Sequence, residues 1–170
     1  LPKASIDQIK YIATAAKIAD AISRDNVLLA PIESSVIPLP HQLNVLSKAI
    51  NADHVRLLLA DEVGLGKTIE AGLIIKELKL RGLVKRVLVL VPSGLTNQWI
   101  SEMLVHFSEE FIKIDPGVFN VAENLFKTDN LWTVHDQVIC SMDAVKPIDQ
   151  RRGWNREQVA KYNKQRFEDM

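Results

Sequence analysis

Between Val55 and Ser141 short apolar runs alternate with stretches of helical spacing. Val55-Arg56-Leu57-Leu58-Leu59 has the length of a buried strand. Arg86–Val91 is a second such run, without the alternation of a half-exposed strand, as expected in a sheet covered on both faces. Between them, Lys67 to about Leu80 predicts a helix closed by Gly82 as its C-terminal cap. Pro92-Ser93-Gly94 breaks the second run, and Leu95, Trp99, Met103 and Phe107 then mark one face of another helix. Phe111–Ile114 and Gln137–Ser141 predict two more strands, with Asp115–Leu131 mostly loop. Strands and helices in alternation are the pattern of a parallel α/β sheet.

The flanks read differently. Ile6, Ile9, Ala13, Ala16 and Ile22 recur at near-helical spacing and predict an amphipathic helix from Ser5 to about Arg24. Val27–Pro40, punctuated by Pro31, Pro38 and Pro40, reads as a strand or extended segment entering a turn, and His41–Ile50 as a short helix carrying Leu43, Leu46 and Ile50. Asn155 followed three residues on by Gln158 has the form of a capping box, so about Arg156 to Phe167 is expected to be helical.

The chemistry concentrates at Ala60–Thr68, Ala-Asp-Glu-Val-Gly-Leu-Gly-Lys-Thr, between the first apolar run and the first helix. A strand, a glycine loop ending in Lys-Thr and a helix start describe a phosphate-binding loop. Gly64 and Gly66 permit backbone angles that turn successive N–H groups inward toward phosphate oxygens. Lys67 supplies positive charge for the terminal phosphates, and the Thr68 hydroxyl suits the magnesium that travels with ATP. The helix adds its unpaired N–H groups and positive dipole end. The strict pattern would put glycine at Asp61. A surface turn that contains Gly-Lys-Thr is the plainer alternative, and the flanking strand and helix patterns weigh against it.

Composition narrows the classes. The 170 residues are 47% hydrophobic and 25% charged, ordinary for one globular unit with a core of its own. Lys plus Arg equals Asp plus Glu at 21 each, so any contact with nucleic acid must be local. Apolar runs such as Val87–Val91 fall far short of a bilayer span. Cys140 is the one cysteine, excluding an intrachain disulfide, fitting a reducing compartment, and placed as a small core residue. His41, His54, His106 and His135 lack the spacing of a zinc site. The first residues carry neither methionine nor a signal core, which leads us to expect a trimmed piece without secretory targeting.

Asp-Glu-x-Gly-x-Gly-Lys-Thr resembles the phosphate loop of superfamily 2 helicase-like ATPases, particularly the Snf2 family of DNA translocases. The likeness extends over roughly Pro38 to Ser141: Pro40-His41-Gln42-Leu43 resembles the Q-motif region, Asp61–Thr68 motif I, Val91–Trp99 motif Ia and Ile139–Asp143 motif Ib. Within the family it is most similar to the bacterial RNA-polymerase-associated recycling ATPases and their prokaryotic relatives. The resemblance implies an α/β, RecA-like three-layer sandwich with a mostly parallel sheet. Residues 1–37 would form a helix and lead-in, and 38–170 the first part of lobe 1. It also implies ATP and Mg2+ as cofactors, double-stranded DNA and either RNA polymerase or another DNA-bound protein as partners, and a cytoplasmic, nucleoid-associated location.

Carried over by residue, Gln42 would read the adenine edge through its amide, although a glutamine before a helix is often only a surface residue. Asp61, Glu62, Val63, Gly64, Leu65, Gly66, Lys67, Thr68 and Ile69 would surround the nucleotide. Lys67 and Thr68 would serve catalysis, with Thr68 on the magnesium. Asp61 and Glu62 receive no catalytic role, and Glu70 is a family-like helix residue. Ser93 and Ser141 follow strand ends and would contact DNA phosphates, a role compatible with capping a helix or turn. Trp99 shares a face with Leu95 and Met103 and reads as core. Lys146, Arg151, Arg152 and Arg156 form a modest basic cluster, either simply solvated or attractive to DNA.

Such an ATPase also needs a strand ending in Asp-Glu, to hold magnesium and orient the attacking water. The one Asp-Glu pair here is Asp61-Glu62, inside the loop. The resemblance implies that the acidic motif and a second lobe with its arginines belong to a parent motor. Loss of such an arginine costs about 10³–10⁵ in rate in related phosphoryl-transfer enzymes. Weak nucleotide binding without turnover is therefore expected of these residues, together with self-association through an unpaired sheet edge. Two other classes stay open: another P-loop NTPase, although Asn163-Lys164-Gln165-Arg166 fails the guanine-reading pattern at its last position, and a non-catalytic nucleic-acid or RNA-polymerase interaction module.

Overall fold

The computed structural model describes residues 27–62, 64–118 and 130–170. The helix expected over Ser5–Arg24 and much of the Asp115–Leu131 loop lie outside them. Three strands, β1 (Val87–Val91), β2 (Ile112–Ile114) and β3 (Gln137–Ser141), form a parallel sheet in the order β1-β3-β2. Val91 is in register with Ser141, and Ile114 with Cys140, so all three strands end on one edge. This is an incomplete α/β, RecA-like lobe with a small, parallel sheet.

Helices α1 (Pro40–Ile50), α2 (Lys67–Leu80) and α3 (Thr96–Phe107) cover one face. Leu46, Leu73, Met103 and Phe107 meet Val89, Val91 and Ile139 there. On the other face Val138, Cys140 and Ile114 pack against Leu131, Trp132, Ala144 and Val145. The last two belong to a short helix, α4 (Met142–Val145). Trp99 is half-buried against the first core, and Leu95 is exposed. The alternation of strand side chains explains the division: Ile139 points one way, its neighbours Val138 and Cys140 the other.

Local chemistry sets several ends. Gly82 takes φ +69° just beyond α2, and its N–H reaches the Lys79 carbonyl at 2.9 Å. The Asn155–Gln158 capping box is present, each side chain accepting from the other's N–H at 2.8 and 2.9 Å. It opens α5 (Arg156–Asn163), which continues as a π-helical turn over Lys164–Glu168.

Two expectations fail. Val55–Leu59 forms no strand and is largely exposed, with Leu58 90% accessible; among the described residues no strand lies beside it to share its hydrogen bonds. Of the two readings of Val27–Pro40 the structure takes the second, an irregular lead-in with a turn over Ala30–Ser35 and no strand. The other failure is that β1 is not covered on both faces: Val89 and Val91 are buried, whereas Leu88 and Leu90, facing the same side as Val138 and Cys140, are each 37% exposed.

The C-terminal half of α2 is heavily fastened. The buried Glu77 carboxylate accepts from the Leu29 and Ala30 N–H groups at 2.8 and 2.6 Å and from Arg81 Nε at 2.8 Å. Lys76 donates to the Phe107 carbonyl at 3.0 Å and to Glu109 at 2.9 Å, and Lys79 also reaches Glu109.

Candidate functional site

The glycine loop enters α2 as its residue types demand. Gly64 has φ +93° and Gly66 φ +84°, angles that L side chains rarely adopt. Gly66 is constrained twice over, because a Cβ there would stand 2.7 Å from Gln42 Nε2. The glycine thus lets α1 approach the loop. Gln42 is 4% exposed; its Nε2 donates to the Leu65 carbonyl at 3.1 Å, and its Oε1 accepts from the Leu39 N–H at 2.9 Å. His41 Nε2 lies 3.3 Å from the same Leu65 oxygen. The second contact of Gln42 belongs to the cap of α1, which begins with Pro40 at a position where the missing N–H is no loss.

Lys67 folds back on the loop's entrance. Its Nζ donates to the Asp61 carbonyl at 2.9 Å and to the Glu62 carbonyl at 3.0 Å. These acceptors are neutral, so an anionic oxygen entering the loop would compete well for the ammonium. Thr68 stands half-buried in the first turn, and Ile69 packs against the first core. Val63 lies outside the described residues.

Glu70, one turn further on, is 1% exposed, and neither carboxylate oxygen has a hydrogen-bond donor among the described residues. Burial pushes its carboxyl above the ordinary range, and the neighbouring Asp61 carboxyl pushes it further; His41 and Lys67 pull the other way. Its helical position was legible in the sequence, its burial was not. Among the described residues no group of three or more His, Cys, Asp or Glu could hold a metal ion.

Ser93 and Ser141 both lie at the C-terminal edge of the sheet, where ligands of α/β proteins bind. Ser93 is exposed and opens a short 3₁₀ turn, Ser93–Leu95, its carbonyl accepting from Thr96 Oγ1 at 2.9 Å. Ser141 ends β3, is half-buried and precedes α4 without a side-chain capping bond.

The geometry therefore joins the Gln42 region and the glycine loop through direct contacts, and puts the two serines on one edge. Residues 40–167 match the family model described as SNF2-related domain. The chain belongs to this SNF2-related family. Among its relatives, RNA polymerase-associated protein RapA of Proteus mirabilis is 42% identical over 113 residues, 66% of this chain and 12% of that protein. RapA of Cronobacter sakazakii is 45% identical over the same shares. The protein described as uncharacterized ATP-dependent helicase YqhH, from Bacillus subtilis, is 44% identical over 112 residues, 66% of this chain and 18% of its own length. The chain thus spans a small part of these SNF2-related proteins. Among its described residues no helix is long and apolar enough to cross a membrane.

Proposed function

We propose that the chain binds ATP with Mg2+ at the Asp61–Thr68 loop, as the nucleotide-holding part of a Snf2-type motor that moves on double-stranded DNA. The observation that carries this reading is the loop itself: two glycines at positive φ, Lys67 bonded, among the described residues, to two neutral carbonyls, and Gln42 against Gly66. In this reading Gln42 selects adenine, Lys67 moves from the Asp61 and Glu62 carbonyls to the terminal phosphates, and Thr68 ligates magnesium. The backbone of residues 61–66 and the first turn of α2, including Ile69, line the site. The nucleotide supplies the phosphoryl group; the chain binds and orients it.

The sequence carries no second Asp-Glu pair to orient water, so the 170 residues bind ATP without appreciable turnover. DNA phosphates meet Ser93 and Ser141 at the strand ends. RNA polymerase is a further partner, on the strength of the RapA relatives' name. A cytoplasmic, nucleoid-associated location follows from these partners. The outer edge of β1, unpaired among the described residues, supports self-association of the chain.

Titration with a fluorescent ATP analogue tests the central point. The chain should bind with Mg2+ present, lose binding on Lys67→Ala, and release phosphate only at background rate. Lys67→Ala binding as tightly as the original chain would defeat the nucleotide reading; hydrolysis at the rate of a complete motor would defeat the claim of inactivity. Size-exclusion chromatography that finds only monomer over a wide concentration range would dismiss the edge pairing.

A further inference from the structure

A chain of stacked side chains runs across the C-terminal edge of the sheet, away from the glycine loop. At its inner end Arg166 is buried, donating to the Ala144 carbonyl at 3.1 Å and to the Pro116 carbonyl at 2.9 Å. It thereby ties together the segments that leave β2 and β3. The same guanidinium lies 4.3 Å from the centre of the Tyr162 ring. Tyr162 meets Trp154 edge to face, at 5.7 Å and 70°, and the Trp154 ring carries the guanidinium of Arg151 at 4.2 Å. Arg151 is the exposed end.

This arrangement fixes a side chain that would otherwise sample many rotamers. An arginine over an indole face is held by attraction to the ring, leaving its N–H groups free to donate in its own plane. Among the described residues Arg151 has no ion-pair partner. It stands between two hollows of about 330 Å³ each, one lined with Ser141, Gly117 and Tyr162, the other with Asn155 and Arg156. Arg152, Arg156 and Lys146 are exposed in the same stretch of chain; the opposing charges there are Asp143 and Asp149, one on each hollow, and Glu157, exposed beside Arg156. A planar, pre-positioned donor with surplus positive charge around it, at the edge where strands end, suits the oxygens of a phosphodiester.

We propose that Arg151, held on Trp154, grips a backbone phosphate of duplex DNA lying along the C-terminal edge of the sheet beside Ser141. The contact rests on the reading of the chain as a DNA-binding part of a motor, and adds to it a site that lies beyond the strand-end serines. Arg151 sets position and not sequence, since phosphate oxygens are the same at every base pair. Trp154 acts as a positioning residue, through Arg151.

The test is binding of the 170-residue chain to a short fluorescein-labelled duplex, measured by anisotropy over a series of salt concentrations. Arg151→Gln should weaken binding about 3- to 10-fold and reduce the steepness of the salt dependence by about one, as for the loss of one phosphate contact. Its melting temperature and its affinity for the fluorescent ATP analogue should not change. Trp154→Leu should weaken duplex binding while leaving the salt steepness nearly intact, because the charge remains. If the original chain binds duplex but Arg151→Gln binds it with equal affinity and salt dependence, this site is refuted and the wider DNA reading survives. If the original chain fails to bind duplex even at low salt, the DNA reading itself falls. If Arg151→Gln spares duplex binding but loosens attachment to RNA polymerase, the contact is with protein and the proposal is overturned.

Discussion

Phe107 occupies the space that a side chain on Gly72 would need: a Cβ built on the glycine stands 2.2 Å from the ring's Cε2 atom. Gly72 lies in the middle of α2, where glycine costs about 1 kcal/mol relative to alanine, so its presence is explained by the approach of α3. Phe107 is fully buried and cannot yield easily. Gly72→Ala should therefore lower stability by about 1–3 kcal/mol despite its better helix propensity. Chemical denaturation checks this. Adding Phe107→Leu should recover part of the loss, a coupling that a double-mutant cycle would reveal.

Glu77 offers a sharper case. Its carboxylate has three donors around it and no exposure, so Glu77→Ala would leave the Leu29 and Ala30 N–H groups unpaired and the Arg81 charge uncompensated. We expect a loss of about 3–5 kcal/mol, seen as a lower denaturant midpoint. Glu77→Gln should recover less than its shape suggests, since the amide offers one acceptor oxygen where the carboxylate offers two.

Acid should weaken the α2–α3 junction through Glu109. Burial raises the carboxyl's pKa, but hydrogen bonds from Lys79 and Lys76 outweigh it and hold the group below the ordinary carboxylate range. A depressed folded value means that the stabilisation is complete above the unfolded carboxylate pKa and disappears as pH falls through the lower, folded one. Thermal melts of the original chain and Glu109→Gln should therefore differ near neutrality and converge in acid.

Glu70 should behave in the opposite sense. Its carboxyl is raised by burial and by Asp61, so ionisation costs the folded chain more than the unfolded one. The ligand-free chain should be stabilised by Glu70→Met, by about 1–3 kcal/mol, with the advantage over the original chain growing as pH rises above the ordinary carboxylate range. An unchanged melting temperature at neutral pH would contradict the orphaned state of the carboxylate.

The elements that were legible in the sequence are those fixed by near neighbours. The Asn155–Gln158 box, the Gly82 cap, the break at Pro92-Ser93-Gly94 and the loop glycines each act within a few residues, and each is present. Val55–Leu59 was misread because apolar composition makes a strand only where a neighbouring strand accepts its hydrogen bonds. The pairing of Glu77 with Leu29 and Ala30 spans 48 and 47 residues, a separation at which no local pattern operates. The stacking of Arg151 on Trp154 and of Arg166 on Tyr162 spans only three and four residues, yet it depends on side-chain orientations that residue spacing alone does not specify.

The fastening of α2 is one-sided. Lys76, Glu77 and Lys79 tie its second half to α3 and to the lead-in, while at its first turn Lys67 holds only the loop it belongs to. Packing of Ile69, Gly72 and Leu73 holds the first half in the core, so the polar ties reinforce the helix only at the far end. A ligand arriving at its tip would meet a helix already seated, and the displacement would fall on residues 61, 62 and 64–66 and, through the Leu65 carbonyl, on Gln42 at the start of α1.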